Sequence, residues 1–117
     1  MLERLYRALI ALVYGTPDDA AHTRGLRSPQ WPTVRKHHLE KEGKCQWCGT
    51  KRLLSVHHIE PFHLKPELEL CESNLLTLCD GLFRNCHFRR GHLRSWVKFN
   101  PKIREECQNK LQNQTNR

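Results

Sequence analysis

Two kinds of metal-binding side chain are concentrated in the middle of this sequence. Cysteines stand at Cys45, Cys48, Cys71, Cys79, Cys86 and Cys107, and five of the eight histidines (His57, His58, His63, His87 and His92) fall among them. In Cys45-Gln-Trp-Cys48-Gly49, two intervening residues let both thiolates face one tetrahedral ion while nearby backbone amides donate to the sulfurs. A redox pair shares this spacing, but no βαβ pattern surrounds it here. Cys79 and Cys86 would complete four thiolates, although their spacer is longer than the usual two to four residues. The alternatives for these cysteines are buried free thiols or a Cys79–Cys86 disulfide. The expectation is a structural zinc ion held by Cys45, Cys48, Cys79 and Cys86, with Cys71 and Cys107 left as free thiols. Binding of such an ion contributes on the order of 10 kcal/mol to folding.

His57 and His58 are adjacent at the end of a predicted strand, so their side chains point to opposite faces. One is then placed to ligate a metal and the other to stay free as a base. His87 follows Cys86 directly, which puts a third imidazole beside the thiolates. His92 lies five residues further on, more than one α-helical turn, and competes with His87 as an added ligand. His63 falls in a loop, His37 and His38 on a helix as packing or surface residues, and His22 in a linker. A free imidazole with a pKa near ~6.5 suits water activation at neutral pH. A metal with few protein ligands keeps positions open for a phosphate and water.

The elements that must carry these groups are short. Leu2, Leu5, Tyr6, Leu9, Leu12 and Val13 recur at helical steps and predict a helix over 2–14, docked on the domain rather than lying on a membrane. Residues 15–28 read as a polar linker. A second helix is expected from Ser28 as N-cap and Pro29 as first residue, with Trp31, Val34, His38 and Leu39 on one face and Gly43 as its stop. Residues 52–57 and 74–79 read as two short strands joined by a loop. His87 to Phe99 carries His92, Leu93, Trp96 and Val97 at helical spacing. Ile103, Cys107 and Leu111 allow a helix in the polar segment 101–117, where a frayed tail is the alternative. Trp31, Trp47 and Trp96 are expected in the core rather than as stacking platforms.

The chain has 117 residues, 20 Lys+Arg against 12 Asp+Glu, and a net charge of +8. This excess favours an acidic partner, nucleic acid first. No apolar run approaches the ~18–20 residues of a spanning helix. The N-terminal apolar stretch differs from a signal peptide in its Glu3, its shortness and the lack of a small-x-small cleavage site, which makes an intracellular protein the expectation.

Cys45-x-x-Cys48, Val56-His-His-Ile-Glu-Pro61, Asn74-Leu-Leu-Thr-Leu-Cys79 and Cys86-His87, in that order, resemble the zinc-binding form of the HNH endonuclease family. The likeness covers roughly residues 28–100, and Arg27-Ser-Pro-Gln-Trp-Pro-Thr-Val-Arg35 and Gly91-His-Leu-Arg-Ser-Trp96 further resemble small phage and bacterial HNH proteins. It implies a small α+β fold with a ββα-metal (His-Me finger) core braced by the four-cysteine zinc site. The N-terminal helix and linker would occupy 1–27, the nuclease domain 28–100 and a polar tail 101–117. By the same resemblance His57 and His87 ligate a catalytic divalent ion (Mg2+ or Mn2+, with Zn2+ or Ni2+ as alternatives), and His92 is an additional candidate. His58 is the general base, and Asn74 holds the loop and the orientation of that base. The implied reaction is hydrolysis of DNA, leaving 5′-phosphate and 3′-hydroxyl ends, with RNA and single strands open as substrates. The implied location is the cytoplasm, that of the host for a phage protein. A zinc-stabilised nucleic-acid-binding module that cuts nothing is the rival reading. Arg84, Arg89, Arg90 and Arg94 cluster around His87 and are expected to touch DNA phosphates, with Arg24, Arg27, Arg35 and Lys36 extending the basic surface. A homodimer or a specificity partner is compatible with the short length, and residues 2–14 would serve as an interface as readily as a packing face.

Overall fold

The computed structural model describes residues 2–15 and 27–116, so most of the linker, with His22 and Arg24, lies outside the described residues. Within them, three α-helices and one two-stranded sheet make a small α+β fold: α1 (Leu2–Tyr14), α2 (Trp31–Glu42), β1 (Leu54–His58), β2 (Leu75–Cys79) and α3 (Ile103–Thr115). The strands pair antiparallel, with Leu54 opposite Cys79 and His58 opposite Leu75. Because opposed residues share a face, Val56 and His58 lie with Thr77 and Leu75, and Ser55 and His57 lie with Leu78 and Leu76. Leu53, at a φ of 53°, marks the point where the strand can begin.

Helix α2 starts two residues later than Ser28 and Pro29 suggested. Ser28 instead makes a turn ahead of the helix: its Oγ accepts from the Gln30 N–H at 3.1 Å and its carbonyl from the Trp31 N–H at 3.0 Å. Trp31, Val34, His38 and Leu39 do face inward, and Gly43 closes the helix at φ 69°, donating its N–H to the Leu39 carbonyl. His38 is a structural tie between layers. Its Nδ1 lies 3.0 Å from Glu72 and its Nε2 2.7 Å from Glu42, whose carboxylate also accepts the Thr77 N–H at 2.7 Å.

The long helix expected over 87–99 is absent. A single π-helical turn, His87–Gly91, is followed by irregular chain in which Leu93 and Arg94 take φ values of 52° and 66°. This bend brings Asn100 back so that its N–H reaches the Gly91 carbonyl at 2.9 Å and its side-chain amide the Arg90 carbonyl at 3.2 Å. Of the two readings left open for the polar segment 101–117, the helix forms, as α3. Ile103 and Cys107 are buried with Cys45, Cys79, Cys86, Leu76 and Leu78 in one core. Lys110 donates to the Trp47 carbonyl at 2.8 Å and Arg104 to the Leu75 carbonyl at 2.7 Å.

Helix α1 docks through a different face from its leucines. Ile10 is buried, and the Tyr6 and Tyr14 hydroxyls meet the backbone N–H and carbonyl of Leu82, respectively. The Trp96 indole N–H donates to the Tyr14 carbonyl at 2.6 Å. Leu2, Leu5, Leu12 and Val13 stay exposed, because satisfying the backbone of the 81–83 loop fixes the tyrosine side inward. Among the described residues no helix is long and apolar enough to cross a membrane.

Since Ile103 has no exposure, Ile103→Ala removes a filled core position and is expected to cost about 3 kcal/mol in a denaturant titration. A frayed segment would show no measurable change.

Candidate functional site

The sulfurs of Cys45, Cys48, Cys79 and Cys86 all lie within 4.8 Å of one another, and those of Cys48 and Cys79 are 3.8 Å apart. A tetrahedron with zinc–sulfur bonds of about 2.3 Å has an edge of about 3.8 Å. The chain builds the first pair as a tight turn: the Cys48 N–H points to the Cys45 sulfur at 3.5 Å, and the Gly49 N–H to the Cys45 carbonyl at 2.9 Å. Cys79 ends β2 and takes the Cys86 N–H on its sulfur at 3.5 Å. The six-residue spacer therefore spans the loop on which α1 rests, without spoiling the ligand set.

Hydrogen bonds from the Cys79 and Cys86 thiols push the Cys45 pKa far down. Those same contacts with Cys45 raise Cys79 to about 11 and push Cys86 higher still. A thiolate at Cys45 is favoured over ionisation of Cys79 or Cys86, a resistance that a cation among the sulfurs would offset. The donor set thus fits a structural metal such as zinc. Cys107 stands outside the cluster, with burial raising its thiol to about 12, and Cys71 is exposed.

The second cluster is made of imidazoles. Ligand nitrogens of His57, His87 and His92 lie within 4.8 Å of one another, and all three side chains are buried. His57 reaches the group from β1, while His87 and His92 come from the two ends of the π turn. There the His92 N–H bonds the His87 carbonyl at 3.0 Å, an i to i+5 step that stacks the two side chains as i to i+4 does in an α-helix. The five-residue spacing that made His92 only an additional candidate is the spacing by which the π turn brings it in.

The remaining nitrogens are assigned by their partners. The Nδ1 of His87 lies 2.9 Å from the Asp80 carboxylate, and that of His92 lies 2.8 Å from the Lys98 carbonyl. These contacts leave the Nε2 of each ring to face the cluster, the arrangement by which metal-binding histidines are oriented. Both nitrogens of His57 are buried without any protein partner, a costly state for a polar group unless a ligand satisfies it. Burial, reinforced by the neighbouring imidazoles, keeps His57 well below its ordinary pKa, and burial lowers His92 to about 4. Neutral imidazoles are the form that binds metals. Asp80 was not legible as part of the site, its only signal being its place directly after Cys79. Gly91 is a second such residue, since a Cβ there would come within 3.1 Å of the His57 ring and of Leu78.

His58 points to the other face of β1 and stacks on Trp31, ring centroids 4.5 Å apart. Its Nε2 is 3.0 Å from the Glu69 carbonyl, so the proton sits on Nε2 and Nδ1 keeps its lone pair. Burial lowers its pKa to about 4, against the opposing pull of that hydrogen bond. Asn74 does not reach the imidazoles. Its side-chain Oδ1 accepts the Glu60 N–H at 2.8 Å, and its side-chain amide donates to the Glu60 and Leu68 carbonyls at 3.1 and 3.3 Å. It pins the loop that carries Glu69 and so acts on His58 through the backbone.

Among the described residues no further strand covers the outer edge of β1, and a cavity of about 360 Å³ opens there, with His58, His63, His87 and His92 in its wall. Trp31 and Trp96 are half-buried in the same wall, and Trp96 also packs on His87 and His92 at 5.1 and 4.8 Å. None of Arg84, Arg89, Arg90 and Arg94 lines this cavity. Arg89 donates to the Tyr14 hydroxyl at 3.3 Å, Arg90 stacks 4.4 Å over Trp47, and Arg84 and Arg94 are exposed elsewhere. No family model, curated protein or solved structure matches the chain.

Two outcomes follow from this geometry. Stripping metal with a chelator, or Cys86→Ser, is expected to lower the melting temperature by tens of degrees in a thermal scan, because the ion's binding energy rivals the whole stability of a small domain. Asp80→Asn and Gly91→Ala are each expected to weaken metal binding at the histidines by about 10–100-fold in calorimetric titration, with one zinc per chain retained at the cysteines.

Proposed function

We propose that this protein is a metal-dependent phosphodiesterase of the HNH type that cuts DNA. The observation that carries the reading is the trio of His57, His87 and His92, in which both ring nitrogens of His57 lack a protein partner, with His87, His92 and a neutral His58 in the wall of one cavity. The order β1, β2, π turn would supply the ββα-metal core of that family, with the helical part shortened to one turn.

A divalent ion bound by the trio would supply positive charge for the phosphoryl oxygens and the leaving 3′ oxygen. His58 Nδ1 accepts the proton of the attacking water, and the Glu69 carbonyl keeps that nitrogen free by holding the other. Asn74 fixes the loop behind Glu69, and Trp31 backs the ring. Asp80 and the Lys98 carbonyl hold His87 and His92 in their ligating orientation. The water oxygen bonds phosphorus as the P–O3′ bond breaks, and the departing oxygen takes a proton from solvent, which leaves 5′-phosphate and 3′-hydroxyl ends. Three imidazoles without a carboxylate favour Zn2+, Ni2+ or a similar transition ion over Mg2+, whose preference is for oxygen ligands.

Supercoiled-plasmid cleavage tests the proposal. The wild-type chain is expected to nick or linearise DNA more readily with Ni2+ or Zn2+ than with Mg2+ and not at all with EDTA. His58→Ala should lose about 10²–10⁴-fold in rate at unchanged zinc content. Full activity in His58→Ala contradicts the assignment of the base, and binding without cleavage under every metal favours a zinc-stabilised nucleic-acid-binding module.

A further inference from the structure

The wall of the histidine cavity carries two guanidinium groups, Arg27 and Arg35, and no carboxylate among its described residues. Arg27 is held in place. Its guanidinium lies 4.6 Å over the Phe62 ring and 5.4 Å from the Trp31 ring, with the Glu69 carboxylate 3.7 Å away. That carboxylate is buried and accepts the Ser28 N–H at 3.0 and 3.3 Å, so part of its charge is already satisfied by the backbone. Arg27 itself keeps 40% of its side chain exposed.

Arg35 follows Trp31 by one turn of α2 and so shares its face. It is half-buried and has no ion-pair or hydrogen-bond partner among the described residues. A partly desolvated arginine without a counter-charge, in a cavity whose other ionisable groups are imidazoles and the Arg27 guanidinium, is a site for an anion. Planar, five-donor guanidinium forks match phosphate oxygens in particular.

We infer that Arg27 and Arg35 bind the phosphodiester groups flanking the one that is cut. The polynucleotide then crosses the molecule along α2 and the Pro61–His63 loop, not over the arginines at 84–94. Arg89 and Arg90 are engaged by Tyr14 and Trp47. The identity of the ligand rests on the phosphodiesterase reading, whereas the position of the clamp rests on the cavity. Backbone phosphates of duplex and single-stranded DNA offer the same chemistry, and the experiment separates them.

The test is fluorescence anisotropy of a short labelled duplex, and of its single strand, titrated with metal-loaded protein over a range of salt. A His58→Ala background removes cleavage from the readout. Arg35→Gln is the decisive variant, because Arg27 also contacts Glu69 and so touches the support of residue 58. Arg35→Gln is expected to weaken binding several-fold and to reduce the slope of log K against log salt by about 0.9 on duplex or about 0.7 on single strand. A probe whose slope falls by its own expected amount occupies the clamp, and one whose slope is unchanged does not. Arg35→Lys should restore most of the slope, and an Arg84→Gln/Arg94→Gln pair should leave it unaltered. An unchanged slope in Arg35→Gln at wild-type zinc content, an equal loss from the 84/94 pair, or no binding to either probe overturns the clamp. If the wild-type chain cuts no DNA while Arg35→Gln still lowers the slope, the hydrolytic reading fails and the clamp stands.

Discussion

Four sulfur atoms meeting at one point of the core are the constraint on which the rest of this molecule depends. The apolar core is small, and three of its buried members, Cys45, Cys79 and Cys86, belong to the sulfur cluster. Apolar packing alone gives a chain of this size little margin. A cation among the sulfurs would join the knuckle at 45–50, the end of β2 and the start of the π turn. It would also offset the resistance of Cys79 and Cys86 to ionising beside a Cys45 thiolate.

The two clusters are coupled by covalent adjacency. Asp80 follows Cys79, and His87 follows Cys86, so the sulfur centre places both members of the carboxylate–imidazole pair that orients the histidine trio. β1 then divides the labour between its last two residues. His57 faces the π turn and is fully buried, while His58 faces α2 and lines the cavity at the free edge of the strand. Under the proposed mechanism, alternation along the extended chain would separate a metal ligand from a base without any special loop, and the hydrogen bond from His58 to the Glu69 carbonyl leaves Nδ1 as the nitrogen with the free lone pair. Loss of the sulfur centre is therefore expected to disperse the histidines as well, whereas damage at the histidines leaves the frame standing.

Much of this was legible because the residues concerned have few structural alternatives. Cysteines at metal-ligand spacing, an adjacent histidine pair ending an apolar run, and the turn after Gly43 each restrict the chain strongly. What was not legible depended on geometry that local spacing conceals. His92 lies outside an α-helical turn from His87 and is brought onto the same side by a π turn, a rare conformation that propensity does not signal. The leucine face of α1 has the periodicity of a buried stripe, yet Tyr6, Ile10 and Tyr14 dock instead, since the backbone at Leu82 needs polar partners. The arginines nearest His87 in sequence point elsewhere, while Arg27 and Arg35, distant in sequence, line the cavity. Segment 101–117 reads as polar, and only two residues of α3, Ile103 and Cys107, are buried to hold the helix on the core.

Metal-edge X-ray absorption on the protein loaded with zinc at the cysteines and nickel at the histidines tests the central claim most directly. The expected result is a zinc environment of four sulfurs at about 2.3 Å and a separate nickel environment dominated by imidazole nitrogens near ~2.1 Å, the latter reduced by His92→Ala. A nickel signal dominated by sulfur, or one that ignores the loss of His92, would contradict a histidine centre built on the sulfur frame.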